Sequence, residues 1–320
     1  MIKKNQKPLG ESIKINKIDP KKIFNIDCDF PVHQFTEKTE LVPEIDEDYI
    51  FDQAATNAIL AGFMFNQKLL IQGYHGTGKS THIEQVAARL NWPCIRINFD
   101  SQITRLDLVG KDVIKLKDNQ QVTEFQEGII PFCLRRNIAL VMDEYDAIKT
   151  DVSFIIHRLL EQNGKFMLLE ENEVITPHQY FRLFATSNTL GNGDDLGIYH
   201  GTNLINQAQM DRWNIALHLD YLNEEQEIAI LLKKIPSLNK KPYQNTAKMM
   251  VKLANLSRSA FKNGDLSTII SLRTLISWGT NIEIFNSVKT AFILSFYNKL
   301  IEEEKTLINE FFQRIFGDEL

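Results

Sequence analysis

The stretch Leu69-Leu70-Ile71-Gln72-Gly73-Tyr74-His75-Gly76-Thr77-Gly78-Lys79-Ser80 decides the fold. From Gly73 to Ser80 it fits G-x-x-x-x-G-K-[ST], a phosphate-binding loop. The apolar run Leu69 to Ile71 reads as a buried strand feeding that loop. Behind it, Ile83, Val86, Ala87 and Leu90 recur at the spacing of one helix face. Asn91, Trp92 and Pro93 stop that helix. Glycines at 73, 76 and 78 let the backbone bend so that its N–H groups converge on an anion. The helix beginning near Lys79 adds its positive end. This chemistry expects Lys79 on the β- and γ-phosphates and the Ser80 hydroxyl on Mg²⁺.

Two further apolar runs end in polar residues, as central parallel strands do at a ligand site. Ile138-Ala139-Leu140-Val141-Met142 leads into Asp143 and Glu144. Asp143 is placed to hold Mg²⁺ through water, and Glu144 to polarise the attacking water. Leu183 to Ala185 leads into Thr186, Ser187 and Asn188. Asn188 is a candidate sensor of the γ-phosphate; the alternative is a plain strand-ending turn. Cys94 to Asn98 and Ile215 to Leu217 supply two more short strands, giving a parallel five-stranded sheet.

Between these strands lie expected helices and hairpins. Ile59, Leu60 and Phe63 mark a helix before the loop strand. Residues 106–128 read as a hairpin, followed by a helix opening near Ile130-Pro131 with proline at the first helical position. Thr150 or Asp151 is the expected cap of a helix whose apolar face is Val152, Ile155, Ile156, Leu159 and Leu160, ending at Asn163-Gly164. Phe166 to Ile175 reads as a second hairpin. Residues 189–207, rich in Gly, Asn and Asp, read as a long loop. Arg212, just before the last strand, is either an arginine finger for a neighbouring subunit or half of a surface Asp-Arg pair.

From Asn223 the pattern turns helical, opening with an Asn223/Gln226 capping box. Met249, Leu253, Leu256 and Ala260 mark a second helix, Ser271 to Ile276 opens a third, and Val288, Ala291, Phe292 and Phe296 mark a fourth. Arg273, near a helix start, is a candidate phosphate contact from this region or an ordinary surface arginine. The resulting division is an arm over 1–50, a nucleotide-binding α/β domain over 51–221, and a helical lid over 222–320. The arm, Lys-rich and then acidic, is expected to dock on the core, to contact a partner, or to be solvated with one structured patch near Ile23 to Phe30.

Composition narrows the function classes. Lys and Arg total 36 against 41 Asp and Glu, a net charge of −5, which disfavours a nucleic-acid binder. Three cysteines without a C-x-x-C pair give neither a disulfide framework nor a zinc module. The start lacks the apolar core of a signal peptide, and no run approaches a membrane span. The expectation is a cytoplasmic protein.

The longer motifs carry a resemblance. They are Gly73 to Pro93, Asp107-Leu-Val-Gly-Lys-Asp112, Glu124 to Gly128, Asp143-Glu-Tyr-Asp146, Tyr199-His-Gly-Thr202, Asn206-Gln-Ala-Gln-Met-Asp-Arg-Trp213 and Asn263-Gly-Asp-Leu-Ser-Thr268. From about residue 20 onward the chain resembles the small ATPase subunits of aerobic, ATP-dependent cobaltochelatases, relatives of MoxR-type AAA+ proteins and of the magnesium chelatase ATPase. The resemblance implies a P-loop AAA+ core with a helical lid. It also implies a ring of identical subunits, a hexamer, that works with an acidic-domain subunit and a large cobalt-inserting subunit. The reaction the resemblance implies is ATP-driven insertion of Co²⁺ into hydrogenobyrinic acid a,c-diamide during cobalamin synthesis.

By the same resemblance Tyr74, His75, Gly76, Thr77, Gly78, Lys79, Ser80 and Thr81 bind ATP. Ser80 and Asp143 hold Mg²⁺, Glu144 and Asn188 act on the attacking water and γ-phosphate, Arg212 is the finger in trans, and Arg273 is the lid sensor. Leu272 stands where the family typically has proline before that arginine. The histidines at 33, 75, 82, 157, 178, 200 and 218 form no ligand-spaced set, so cobalt is not expected to bind here. The alternatives are a MoxR-like chaperone for another metalloenzyme, a non-hydrolysing regulatory subunit, and a P-loop kinase or DNA motor.

Overall fold

The computed structural model describes residues 13–100, 102–117, 119–161, 164–188 and 207–320. The chain opens with β1 (Ile15–Ile18), α1 (Pro20–Phe24), β2 (Val32–Phe35) and α2 (Gln53–Phe65). The loop strand and helix follow as β3 (Leu69–Gln72) and α3 (Lys79–Arg89), then β4 (Cys94–Asn98), α4 (Arg105–Leu108), β5 (Gly110–Lys117), β6 (Gln120–Glu127) and α5 (Ile129–Leu134). Next come β7 (Ala139–Asp143), α6 (Thr150–Leu160), β8 (Phe166–Leu168), β9 (Glu173–Ile175), β10 (Arg182–Ser187), α7 (Gln207–Met210) and β11 (Ile215–His218). Five helices complete the chain: α8 (Glu224–Lys234), α9 (Thr246–Lys262), α10 (Leu272–Phe285), α11 (Val288–Ser295) and α12 (Glu302–Phe316).

The central sheet is parallel, in the order β11-β3-β10-β7-β4. The three inner strands are buried at every residue, which is why they read as unbroken apolar runs. Strand alternation sorts their side chains onto two cores. Leu70, Leu140, Met142, Leu183 and Ala185 face the core built with α5, α6 and Trp213. Leu69, Ile71, Ala139, Val141 and Phe184 face α2 and α3. By the same alternation Arg96, Asp143 and Thr186 point to the α3 side. The sheet order reverses about β3, so the phosphate loop leaves the sheet where ligands bind in such folds.

A third core of Trp278, Phe292, Phe312, Leu231 and Met250 joins α8 to α12. Tyr74 of the phosphate loop and Tyr221 pack against it, so loop and helical region share a contact. The described part of the arm is docked: Phe24, Ile26, Val32 and Phe35 are sunk in the α2–α3 core. Four apolar residues at irregular spacing carry no periodic signal, so the sequence showed only a patch. Asp46 then bridges outward. Its amide donates to Gln85 on α3, and its carboxylate accepts from Lys234 of α8 at 2.9 Å.

Local expectations need four corrections. α6 is capped by Lys149, which makes no side-chain capping bond, so Thr150 and Asp151 are its first two residues; its C-cap is Glu161, and Asn163 lies outside the described residues. α5 begins at Ile129, which puts Pro131 third, still in the turn whose N–H groups lack intrahelical partners. A short helix, α4, precedes the first hairpin, held by a Thr104/Asp107 capping box. In α9 the buried face is Met250, Leu253, Ala254, Ser257 and Phe261, while Met249 and Leu256 are half-buried. The capping box on α8 and the two hairpins stand where the sequence puts them.

Candidate functional site: a phosphate loop facing two strand ends

Lys79 is the centre of the site and is 7% exposed. Its ammonium donates to Gly73 O at 2.7 Å, Tyr74 O at 3.0 Å and Asn188 Oδ1 at 2.9 Å. Burial pushes its pKa down to about 8, against the opposing pull of the Asp143, Asp146 and Glu144 carboxylates. The loop that holds it depends on backbone conformations suited to glycine. Gly76 has φ +76°, and a Cβ there would lie 2.5 Å from Ser271 Cβ, at the entry to α10. Thr77 Oγ1 donates to Tyr74 O at 2.9 Å. Tyr221 Oη donates to His75 O at 3.1 Å. Burial, and then the neighbouring Lys79 charge, lower the His75 pKa. Ser80 and Thr81 are half-buried in the first turn of α3.

The acids sit where β7 ends. Asp143, 6% exposed, is fixed through both oxygens. Thr186 Oγ1 donates to Oδ1, and Arg96 donates to Oδ2 through Nε at 2.7 Å and also through Nη2. Glu144 takes a left-handed backbone conformation, φ +55°, which swings it off the strand line. Its amide donates to Thr186 Oγ1 at 3.3 Å. Burial raises its pKa, Asp143 and Asp146 raise it further, and a hydrogen bond from the Asn98 side chain opposes them. Asn188 follows β10 directly, and its amide donates to Asp146 Oδ2 at 3.0 Å. The structure thus brings Lys79, Asp143, Glu144 and Asn188 together.

The two arginines are placed differently. Arg212 is half-buried and neighbours Tyr145 and His157. Its segment is pinned to α6 by buried Gln209, which donates to Ser153 Oγ at 3.0 Å and bonds His157, and Trp213 packs edge-on against Tyr145 in the turn before α6. Arg273 is exposed at the second position of α10, two residues after Ser271, which caps the helix by accepting from Thr274 N. Leu272 is simply the first helical residue. Tyr199 to Thr202 lie outside the described residues.

Sequence reasoning missed Arg96, Asn98, Thr186 and Ser271. A charged residue inside the short run Ile95-Arg96-Ile97 was the available signal for Arg96. The others depend on strand register and on how the start of α10 meets the loop.

The donor set fits a Mg²⁺-bound nucleotide. The N-terminus of α3 has no side-chain cap, leaving first-turn N–H groups for phosphate. Among the described residues no three His, Cys, Asp or Glu side chains form a metal cage. Mg²⁺ takes one or two protein oxygens and completes its shell with phosphate and water, and Ser80 and Asp143 offer oxygens of that kind.

Sheet, loop and helical region together define a P-loop AAA+ nucleotide-binding protein. Residues 68–198 match the model of the AAA domain, dynein-related subfamily, and residues 235–311 match the CbbQ/NirQ/NorQ C-terminal model. A solved Thermotoga maritima RuvB variant shares the fold, with a TM-score of 0.50 at 15% identity over 87% of this chain and 81% of that one. The protein CbbQ of Hydrogenophilus thermoluteolus is 26% identical over 45% of this chain and 49% of its own length. Aerobic cobaltochelatase subunit CobS from a Sinorhizobium species is 52% identical over 95% of this chain and 91% of its own length. The chain belongs to the CobS family of aerobic cobaltochelatase subunits. No helix among the described residues is long and apolar enough to cross a membrane.

Proposed function

We propose that this chain is the ATP-hydrolysing motor of an aerobic cobaltochelatase, driving Co²⁺ insertion into hydrogenobyrinic acid a,c-diamide. The observation that carries the reading is the convergence of buried Lys79 with Asn188, Asp143 and Glu144, in a chain 52% identical to a cobaltochelatase subunit. Residues 51–221 form the nucleotide-binding body, 222–320 the lid, and 1–50 an N-terminal arm whose residues 24–35 pack on the body. Backbone N–H groups from Tyr74 to Thr81 cradle the phosphates. Lys79 exchanges its carbonyl partners for phosphate oxygens. Ser80 and Asp143 would hold Mg²⁺, which when bound would supply charge neutralisation at the phosphates. Glu144 orients the attacking water, Asn188 senses the γ-phosphate, and Arg273 reaches the site from the lid.

Arg212 serves the site of the next subunit in a hexameric ring, a role that rests on its place in the Gln-Ala-Gln-Met-Asp-Arg-Trp block. A finger in trans is worth roughly 10³- to 10⁵-fold in rate. The ring works with an acidic-domain subunit and a large subunit that handles cobalt and the corrin ring, in the cytoplasm. The test is cobalt insertion followed by absorbance, with the two partner subunits and Mg-ATP, and with Glu144→Gln as control. Insertion that needs ATP and disappears in the control, while the control still binds nucleotide, is the expected result. ATP hydrolysis without insertion would assign the motor to another metalloenzyme client, as for a MoxR-like chaperone.

A further inference from the structure

Arg96 lies on the edge strand β4, opposite Val141 in the register with β7. Its guanidinium reaches two residues along the sheet to Asp143 Oδ2, with Nε at 2.7 Å. The remaining nitrogen, Nη1, stands 3.6 Å from Glu84 Oε2. Glu84 belongs to α3 and sits four residues after Ser80, on the same helix face and one turn away. Burial raises the Glu84 pKa, Arg96 opposes that shift and Asp143 adds to it, as expected of two acids sharing one cation. One planar fork therefore joins the strand end carrying Asp143 to the helix carrying Ser80. A lysine could not span both acids with the same geometry, because it offers a point charge rather than a fork.

We propose that Arg96 is a positioning residue for Mg²⁺: by bonding Asp143 and bridging to Glu84, it fixes the separation between the two protein oxygens, from Asp143 and Ser80, that hold the ion. This rests on the Mg-nucleotide reading of the site. Thr186 completes the arrangement by donating to the other oxygen of Asp143, leaving that carboxylate one orientation. Arg96 is 37% exposed, so its removal opens no core cavity.

The experiment measures binding of a fluorescent ADP, with EDTA and then across a Mg²⁺ titration, for wild type, Arg96→Ala, Arg96→Lys and Glu84→Gln. Melting temperatures are recorded for each. Residues that orient metal ligands typically carry 10- to 100-fold of metal affinity. The expected result is an unchanged affinity in EDTA for all four proteins. The Mg²⁺ concentration for half-effect should rise at least about tenfold in Arg96→Ala, less in Arg96→Lys, and least in Glu84→Gln. An Arg96→Ala protein with the wild-type Mg²⁺ titration overturns the proposal, whatever its melting temperature. So does an equal loss of affinity with and without Mg²⁺, which would mark a merely structural arginine. A wild type whose ADP binding ignores Mg²⁺ would instead overturn the Mg-nucleotide reading on which the proposal stands.

Discussion

Gly76→Ala tests whether the phosphate loop and the lid are seated on each other. Gly76 has φ +76°, and a Cβ built there lies 2.5 Å from Ser271 Cβ, where ordinary contact begins near 3.4 Å. Two costs follow, and they separate. Holding an L-residue in the left-handed region costs about 1–2 kcal/mol and lowers stability whether or not nucleotide is bound. Relieving the contact requires the start of α10 or the loop to retreat by about 1 Å, an overpacking cost of roughly 1–3 kcal/mol. That second cost falls on the loop's geometry, so nucleotide affinity should drop roughly 5- to 100-fold at 1.4 kcal/mol per factor of ten.

Ser271→Gly supplies the control. Glycine at a helix N-cap costs only a few tenths of a kcal/mol relative to serine, yet it removes the atom that the new methyl strikes. The double variant Gly76→Ala/Ser271→Gly should recover most of the lost affinity while keeping the lowered melting temperature. Calorimetric titration with ADP and thermal melts of the three variants read both quantities. Wild-type affinity in Gly76→Ala, or a double variant as weak as the single, would refute the close seating of lid on loop.

Two further outcomes are expected. With Lys79 at a pKa of about 8 in the folded chain and 10.5 as its ordinary value, the unfolded chain holds more protons between those pH values. Its contribution to stability therefore rises with pH across that window, while Mg²⁺-free ADP affinity falls by up to roughly tenfold per pH unit above 8, because the ammonium that meets the phosphates is lost. Titrations from pH 7 to 9.5 should show that fall in wild type and not in Lys79→Ala. Mixing Arg212→Ala chains with Lys79→Ala chains should restore part of the ATPase activity that each lacks alone. No recovery at any ratio would remove Arg212 from the role of a finger in trans.

The sequence by itself determined the frame. Leu69 to Ser80, the apolar run into Asp143 and Glu144, and the run into Asn188 were legible because inner parallel strands are covered on both faces and the phosphate loop spends glycines at fixed places. The Asn223/Gln226 cap and the helices after it were legible because capping and helical period are local. Tertiary structure decided the rest. Arg96 meets Asp143 because β4 lies beside β7 in a register that no local pattern encodes. Thr186 reaches the same carboxylate because β10 is β7's other neighbour. Ser271 lies against Gly76 across 195 positions of chain because the start of α10 packs onto the loop. The arm's Phe24, Ile26, Val32 and Phe35 are buried because α2 and α3 leave an apolar face for them. Sequence spacing records periodic contacts within an element, whereas these contacts arise between elements, where only the packed chain sets the distance.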